Sequence, residues 1–596
     1  MALTPEERNN TFQKVADGAL LRNARREDEF TVEGEITVEG LDARLRLVLD
    51  ESFPTSLPTL YLCPWDALGF LPHVLPVGRR LPSTATGAEP AVREASGAGL
   101  GTVGLVCYKQ TEGILVDRRR PLAIVQEALE SVRKTLEDGV TGRNRSDFVD
   151  EFDTYWLLLK DVETVWSVLE PAAEPSKVMT ATASSNFRYL CRDIADLEAF
   201  LNCSAGAKYT HHRAFYVPLE PGTLVVPPRH DQPFWNAESF REMVWGNVSK
   251  ATARWLKKAI RGRVRQSETV ILSLMRPSGG AIEFGVRFVG VEDQHPLLDG
   301  GKVERLCPVH CVRADRTFVL PRGGAEAALG QKHVLLVGCG ALGGHVAYEC
   351  AKAGVLNLTL VDREVLEVEN TFRHVLGRRY WKDNKAEALK KEIEAELPYT
   401  KVRAVPKKIE DALGDESVEF TQFDLVIFAL ARPTLELELN ERIQNLKGSP
   451  PTIFTWLEPY GIGGHALATR IGKTAGCFEC LYADTGGEAG LGNRAAFAAP
   501  GQHFGKALSG CGSLFTPYGS IDAIRTAALA VQLAVDVLEG KENRNALVSW
   551  KGDTRDFREE GFVTSERFEY SQERLLQDRY KFPALNCIVC GGIGAD

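Results

Sequence analysis

Two C-x-x-C pairs, Cys477-Phe-Glu-Cys480 and Cys587-Ile-Val-Cys590, carry the strongest chemical signal in this sequence. Two such pairs meeting in space make a closed four-thiolate zinc site, structural because no coordination position is left open. The second pair stands close to residue 596, so zinc there would pin that end onto its domain and contribute to folding. A redox reading is weaker, because two pairs are present and neither sits in a thioredoxin-like context.

A second signal is Val337-Gly338-Cys339-Gly340-Ala341-Leu342-Gly343-Gly344. Gly338, Gly340 and Gly343 lie between an apolar strand and a helix, where glycine lets the backbone approach phosphates at a helix N-terminus. Asp362 follows about 20 residues later, at the end of the next strand, where a carboxylate accepts hydrogen bonds from a ribose. A nicotinamide or flavin dehydrogenase carries the same fingerprint. Asn370 and Arg373 in Val-Glu-Asn-Thr-Phe-Arg-His, and Lys385 in Asn-Lys-Ala-Glu-Ala-Leu, change the weighting. A site that holds a triphosphate while a carboxylate attacks its α-phosphorus needs such groups, because charge builds on the phosphoryl oxygens. The bland alternative is that Arg373 and Lys385 are solvated helix residues.

The elements that would position these residues fall into three stretches. Residues 1–140 open with a polar helix (Pro5–Asn23) and alternate apolar and polar residues over Phe30–Leu49. The Pro-punctuated run Phe53–Leu62, an irregular Gly- and Pro-rich segment (Pro76–Gly101) and a helix over Pro121–Leu136 follow. Residues 141–328 mix strands, turns and aromatic residues. There Cys307, His310 and Cys311 lack a second half for a metal site, and His211-His212 read as surface or packing. Residues 329–596 show an α/β pattern: strand His333–Val337, glycine turn, helix, strand Leu358–Val361, and a buried parallel strand over Phe423–Leu430. Cys339 and Cys350 read as packing residues.

The bulk composition bounds the rest. At 596 residues, 44% hydrophobic and 25% charged, the chain is expected to form about three domains of an ordinary soluble protein. A net charge of −9 argues against nucleic acid as the main partner. The first residues are polar and carry no secretory pattern, and Thr526–Leu538, interrupted by Gln532 and Asp536, falls short of the roughly 18–20 residues of a membrane span. The 13 cysteines are therefore expected to serve metal binding or thiol chemistry in a cytoplasmic protein, with no membrane partner.

Residues 329–596 resemble the ThiF/MoeB/ubiquitin-activating superfamily, which adenylates the C-terminal glycine of ubiquitin-fold proteins. The resemblance rests on the glycine turn, Asp362, Asn370, Arg373, Lys385, both cysteine pairs, and Gly510-Cys511 before Pro517 and an Ala-rich helix. It implies a Rossmann-like adenylation domain in which Asn370, Arg373 and Lys385 contact ATP phosphates, Asp362 binds ribose, and two copies pair. One departure stands out. The magnesium-binding aspartate usual in that family after the strand corresponding to Phe423–Ala429 is missing from Ala429-Leu430-Ala431-Arg432-Pro433-Thr434, where Arg432 is expected in its place; either another group holds magnesium, or the ion is held mainly by ATP and water.

Residues 1–140 are similar, more faintly, to the α+β fold of ubiquitin-conjugating enzymes. Phe53–Leu62, Leu71-Pro72-His73-Val74, Leu105-Val106-Cys107-Tyr108 and the Pro121–Leu136 helix follow that fold's order, without its His-Pro-Asn motif. The pairing of both modules resembles bacterial fusion enzymes of CBASS antiphage operons, which attach the C-terminus of a cGAS-like nucleotidyltransferase to targets. On that resemblance Cys511 takes the adenylated acyl group as a thioester and Cys107 receives it for conjugation; a buried strand-end cysteine is the alternative at Cys107. The helix beyond Cys511, Asp522–Leu538, would lower the thiol's pKa. Two competing expectations remain: a sulfur-carrier adenylyltransferase without a relay, and a binding scaffold whose adenylation site has decayed.

Overall fold

The computed structural model describes residues 3–17, 21–77, 103–109, 115–182, 187–202, 208–262, 265–472, 474–483, 492–507, 514–585 and 587–591. Cys511 and Gly510, and most of the segment Pro76–Gly101, lie outside the described residues. The chain divides into two compact units, residues 1–194 with 208–314, and residues 195–207 with 315–596.

In the first unit, six strands pair in the order Arg22–Arg26, Thr31–Val38, Leu41–Val48, Thr59–Cys63, Gly104–Val106, Val74–Pro76. The alternation over Phe30–Leu49 becomes a hairpin whose turn, Glu39-Gly40, has φ of 49° and 80°. Both values are positive, as the two-residue turns that match strand twist require. Val32, Ile36, Val38, Leu45 and Leu47 face a core closed by the helices Pro5–Ala16 and Pro121–Val140. The first helix is shorter than the expected Pro5–Asn23. Residues 22–26 pair as an edge strand instead, setting Arg22 and Arg25 opposite Glu35 and Glu33. That edge brings cross-strand contacts which a solvent-facing helix end would lack, among them Arg22 Nη2 with Asp42 Oδ1 at 2.6 Å and Asn23 Nδ2 donating to Glu35 Oε2 at 2.9 Å.

The stretch expected only to mix strands and turns holds a closed barrel of seven strands. Their order is Thr210–Pro218, Ser267–Met275, Ala281–Glu292, Lys302–Arg313, Glu163–Ser167, Arg188–Cys191, Ser176–Thr182. Val165, Ile271, Val309 and Cys311 belong to one apolar cluster, while Val270, Leu272, Phe284 and Phe288 belong to another with the helices Ala237–Gly246 and Lys250–Ala259. Cys307 and Cys311 are buried strand residues and His211 and His212 are exposed.

The second unit is built on a seven-stranded sheet ordered Lys401–Val405, Asn357–Val361, His333–Val337, Leu425–Phe428, Thr452–Leu457, Gly463–Thr469, Ala546–Lys551. The first five pair in parallel, and Gly463–Thr469 pairs antiparallel with the neighbour on each side. Helices Ala341–Lys352, Lys385–Glu396 and Ser520–Leu538 cover one face, and Pro433–Asn445 with Ile409–Gly414 the other. Burial on both faces explains why Val334–Val337 and Leu425–Phe428 read as unbroken apolar runs. Strand order reverses between His333–Val337 and Leu425–Phe428, and such switch points open the crevice in which α/β sheets bind ligands. No helix among the described residues is long and apolar enough to cross a membrane.

Candidate functional site

The glycine turn leaves the strand His333–Val337 at this switch point. Gly338 has φ 94°, and a Cβ there would stand 2.5 Å from the Ala429 carbonyl oxygen, so glycine is needed for both conformation and space. A Cβ on Gly343 would meet the Gly338 carbonyl oxygen at 1.9 Å, whereas one on Gly340 would meet nothing within 4 Å. The first and third glycines thus let helix Ala341–Lys352 start tight against the strands. Gly340 keeps the backbone bare where a phosphate would approach.

Asp362 faces this turn. Its Oδ2 accepts the Cys339 N–H and its Oδ1 the Glu364 N–H, both at 2.7 Å. Burial raises its carboxyl above the usual range, against the pull of these amides and of Lys385. Lys385 is nearly buried at the first turn of its helix, and its Nζ donates to Glu364 Oε2 at 2.7 Å. That hydrogen bond, more than burial, sets the shift of the Glu364 carboxyl and lowers it. Asn384 ties the group together: Oδ1 caps the Ala386 and Glu387 amides, and Nδ2 donates to the Asp362 and Glu364 carbonyls at 2.9 and 3.1 Å. Asn370 Oδ1 accepts the Glu367 N–H within its own turn, and the Arg373 guanidinium lies over the Tyr518 ring at 5.1 Å. Arg432 is exposed beside the helix Pro433–Asn445 and adds its charge to Glu364.

Two groups here escaped sequence reasoning. His374 Nδ1 accepts the Leu376 N–H, so Nε2 carries the proton and donates to the Cys339 carbonyl at 2.8 Å. Burial lowers its pKa to about 4, which keeps the ring neutral and fixed against Gly344. The other is Glu436, whose Oε1 accepts the Leu430 N–H at 3.3 Å; burial pushes its carboxyl up to about 7. Both lie next to residues the motif names, but neither follows a spacing rule that marks a brace.

The four expected metal ligands come together. Cys477 and Cys587 Sγ are 3.7 Å apart, Cys480 and Cys590 Sγ 3.6 Å, and all four lie within 4.8 Å of one another. Thiolates bound about 2.3 Å from one zinc stand about 3.8 Å apart in a tetrahedron, so these residues fit the ion. Buried Asn440 donates from Nδ2 to Cys477 Sγ at 3.6 Å and accepts the Phe478 N–H at 3.1 Å, orienting that ligand. Zinc held there would supply folding energy and leave no open position for chemistry.

In the first unit, Cys107 ends the strand Gly104–Val106, and its N–H donates to the His73 carbonyl at 2.8 Å. His73, at φ 63°, is clamped: Nδ1 meets Glu151 Oε1 at 2.7 Å, Nε2 meets Asp147 Oδ2 at 2.9 Å, and its N–H donates to Glu151 Oε2 at 3.2 Å. Burial would lower its pKa, but the bonds and charges of Glu151 and then Asp147 outweigh it, raising it to about 9. Burial and then the Glu151 charge push the Cys107 thiol up to about 12. A cleft of about 200 Å³ lies between Tyr108, Lys109 and the helix Pro121–Val140.

Comparison with known proteins agrees with both modules. Residues 317–558 match the ThiF family, and residues 94–165 match "Prokaryotic E2 family B". The second unit therefore contains a ThiF-family domain, and the first contains a segment of a prokaryotic ubiquitin-conjugating-like family. The chain is similar to an ATP-dependent ubiquitin transferase-like protein Cap2 of Pseudomonas aeruginosa, with 27% identity over 243 residues. That alignment covers 40% of this chain and 42% of the relative. A Cap2 of Vibrio cholerae is 25% identical over 38% of this chain and 39% of its own length. The pig adenylyltransferase and sulfurtransferase MOCS3 is 40% identical over 94 residues, 13% of this chain and 21% of its own. The chain thus spans about two fifths of the length of the Cap2 relatives it matches.

Proposed function

We propose that this chain activates the C-terminal carboxylate of a partner protein with ATP and hands the acyl group along two of its own thiols. The carboxylate attacks the α-phosphorus and pyrophosphate leaves. Asp362 binds the ribose, Asn370, Arg373 and Lys385 engage the phosphates, and Gly338, Gly340 and Gly343 let the backbone approach them. Magnesium supplies charge neutralisation at the phosphates. The Cys511 thiolate then attacks the acyl carbon and AMP departs; Cys107 takes the acyl group by transthiolation and passes it to an amine, forming an amide and releasing the thiol.

The observation that carries this reading is the presence of two chemistries in one polypeptide. A glycine turn with Asp362 and Lys385 lies at the switch point of a ThiF-family domain, and Cys107 is seated against His73 in an E2-family segment. The likeness to Cap2 proteins supports an ATP-dependent, ubiquitin-type transfer. The proposal extends to a carrier presenting a C-terminal glycine, with a cGAS-like nucleotidyltransferase as the first candidate, and to a homodimeric, cytoplasmic enzyme of antiphage defence. The cleft beside Tyr108 offers an apolar floor and a Lys109–Glu127 rim for the carrier's extended tail.

The likeness to MOCS3 favours one second reading, adenylation for sulfur transfer without a relay. Both readings require adenylation, and ATP–pyrophosphate exchange with candidate carriers tests it. Exchange is expected with the cognate carrier, to persist in Cys511→Ala, and to vanish in Asp362→Ala. Absence of exchange with every carrier contradicts both and leaves a binding scaffold.

A further inference from the structure

The acid expected after the strand Leu425–Phe428 is absent from Ala429–Thr434, yet a carboxylate from the following helix folds back onto that segment. Glu436, in the first turn of helix Pro433–Asn445, folds back so that Oε1 accepts the Leu430 N–H at 3.3 Å. Leu430 itself abuts the phosphate-binding turn: a Cβ built on Gly338 would lie 3.2 Å from its amide nitrogen. Glu436 is 3% exposed, and among the described residues that amide is its one hydrogen-bond donor and no cation pairs with it. The neighbouring acids are engaged otherwise, Asp362 by two amides and Glu364 by Lys385.

A buried carboxylate against a turn built for phosphates sets like charges together. They coexist only with a proton or a cation between them. Magnesium is held by one or two protein carboxylates plus substrate phosphates rather than by an all-protein cage, so a single acid suffices. We propose that Glu436 is the protein carboxylate that holds the divalent cation accompanying ATP, standing in from the following helix for the acid missing at the strand end. The assignment rests on the nucleotide reading of the glycine turn.

Full-length protein with Glu436→Gln provides the test, because glutamine keeps an oxygen for the Leu430 N–H. Nucleotide binding is titrated by calorimetry with ATP in EDTA and with ATP plus Mg²⁺, and bound Mn²⁺ is followed by electron paramagnetic resonance. The wild-type chain is expected to gain about tenfold or more in affinity from the cation, and the glutamine variant less than about threefold, its metal-free binding no weaker than that of the wild type because the like charge is gone. Glu436→Asp, which keeps the charge and shortens the reach, is expected to gain an intermediate amount, so a folding defect in one variant leaves the other to decide. A full cation gain in both variants overturns the assignment and leaves the nucleotide reading standing. A wild-type chain that binds no nucleotide under either condition overturns both.

Discussion

His73 shows how a residue with no motif can hold a thiol in place. Its carbonyl takes the Cys107 N–H, while Glu151 and Asp147 grip both ring nitrogens, which favours the imidazolium and raises its pKa to about 9. The stabilisation is therefore full below the unfolded pKa of about 6.5 and is lost as pH rises through about 9. Discounted for partial exposure, it amounts to on the order of 2 kcal/mol. Urea titrations at pH 6.5 and pH 9.5 should show the wild type losing about that much more stability than His73→Asn. An equal pH dependence in both would exclude the clamp. At this scale the sequence was legible where residue type dictates chemistry, as in the four metal-spaced cysteines. It was silent where a role depends on distant partners: Asp147 and Glu151 reach His73 from more than 70 residues away, and His374 and Glu436 act through backbone atoms that no spacing reveals.

Among the elements, the strand–turn–helix around residues 333–352 was the most legible, because its glycines answer to backbone geometry alone. The contrast between two of them is testable. Gly343→Ala forces a Cβ against the Gly338 carbonyl and within 3.4 Å of the Ala429 Cβ, and should cost about 1–3 kcal/mol while weakening ATP binding. Gly340→Ala has open space and should leave stability within about 0.5 kcal/mol, its effect confined to nucleotide affinity. Thermal unfolding and nucleotide titration of both variants check this, and equal destabilisation would refute the packing account. The buried strand expected over Phe423–Leu430 covers only Leu425–Phe428, since Phe420–Gln422 turns as a short 3₁₀ segment and Ala429–Ala431 serve the site. The barrel was not legible as a barrel. Its closure depends on parallel pairings between Thr210–Pro218 and Ser267–Met275 and between Lys302–Arg313 and Glu163–Ser167, strands far apart in the chain.

For the molecule as a whole, composition excluded more than it specified, and the proposed function rests on two modules sharing one polypeptide. The four clustered thiols bring residues 477–480 to 587–590, and a zinc ion held there would add to the packing of Phe582, Ala584 and Cys587 in tying this segment to the sheet. The ThiF-family match and the conjugating-type match cover separate segments, and only the proposed relay requires both. The most direct measurement of that relay is an ester trap. Cys107→Ser protein is incubated with ATP, magnesium and lysate from its own cells, and adducts on residue 107 are read by mass spectrometry. The account predicts a stable ester between Ser-substituted position 107 and the C-terminus of one protein, absent when Cys511→Ala is introduced as well. A carrier that is adenylated yet never reaches position 107 would contradict it.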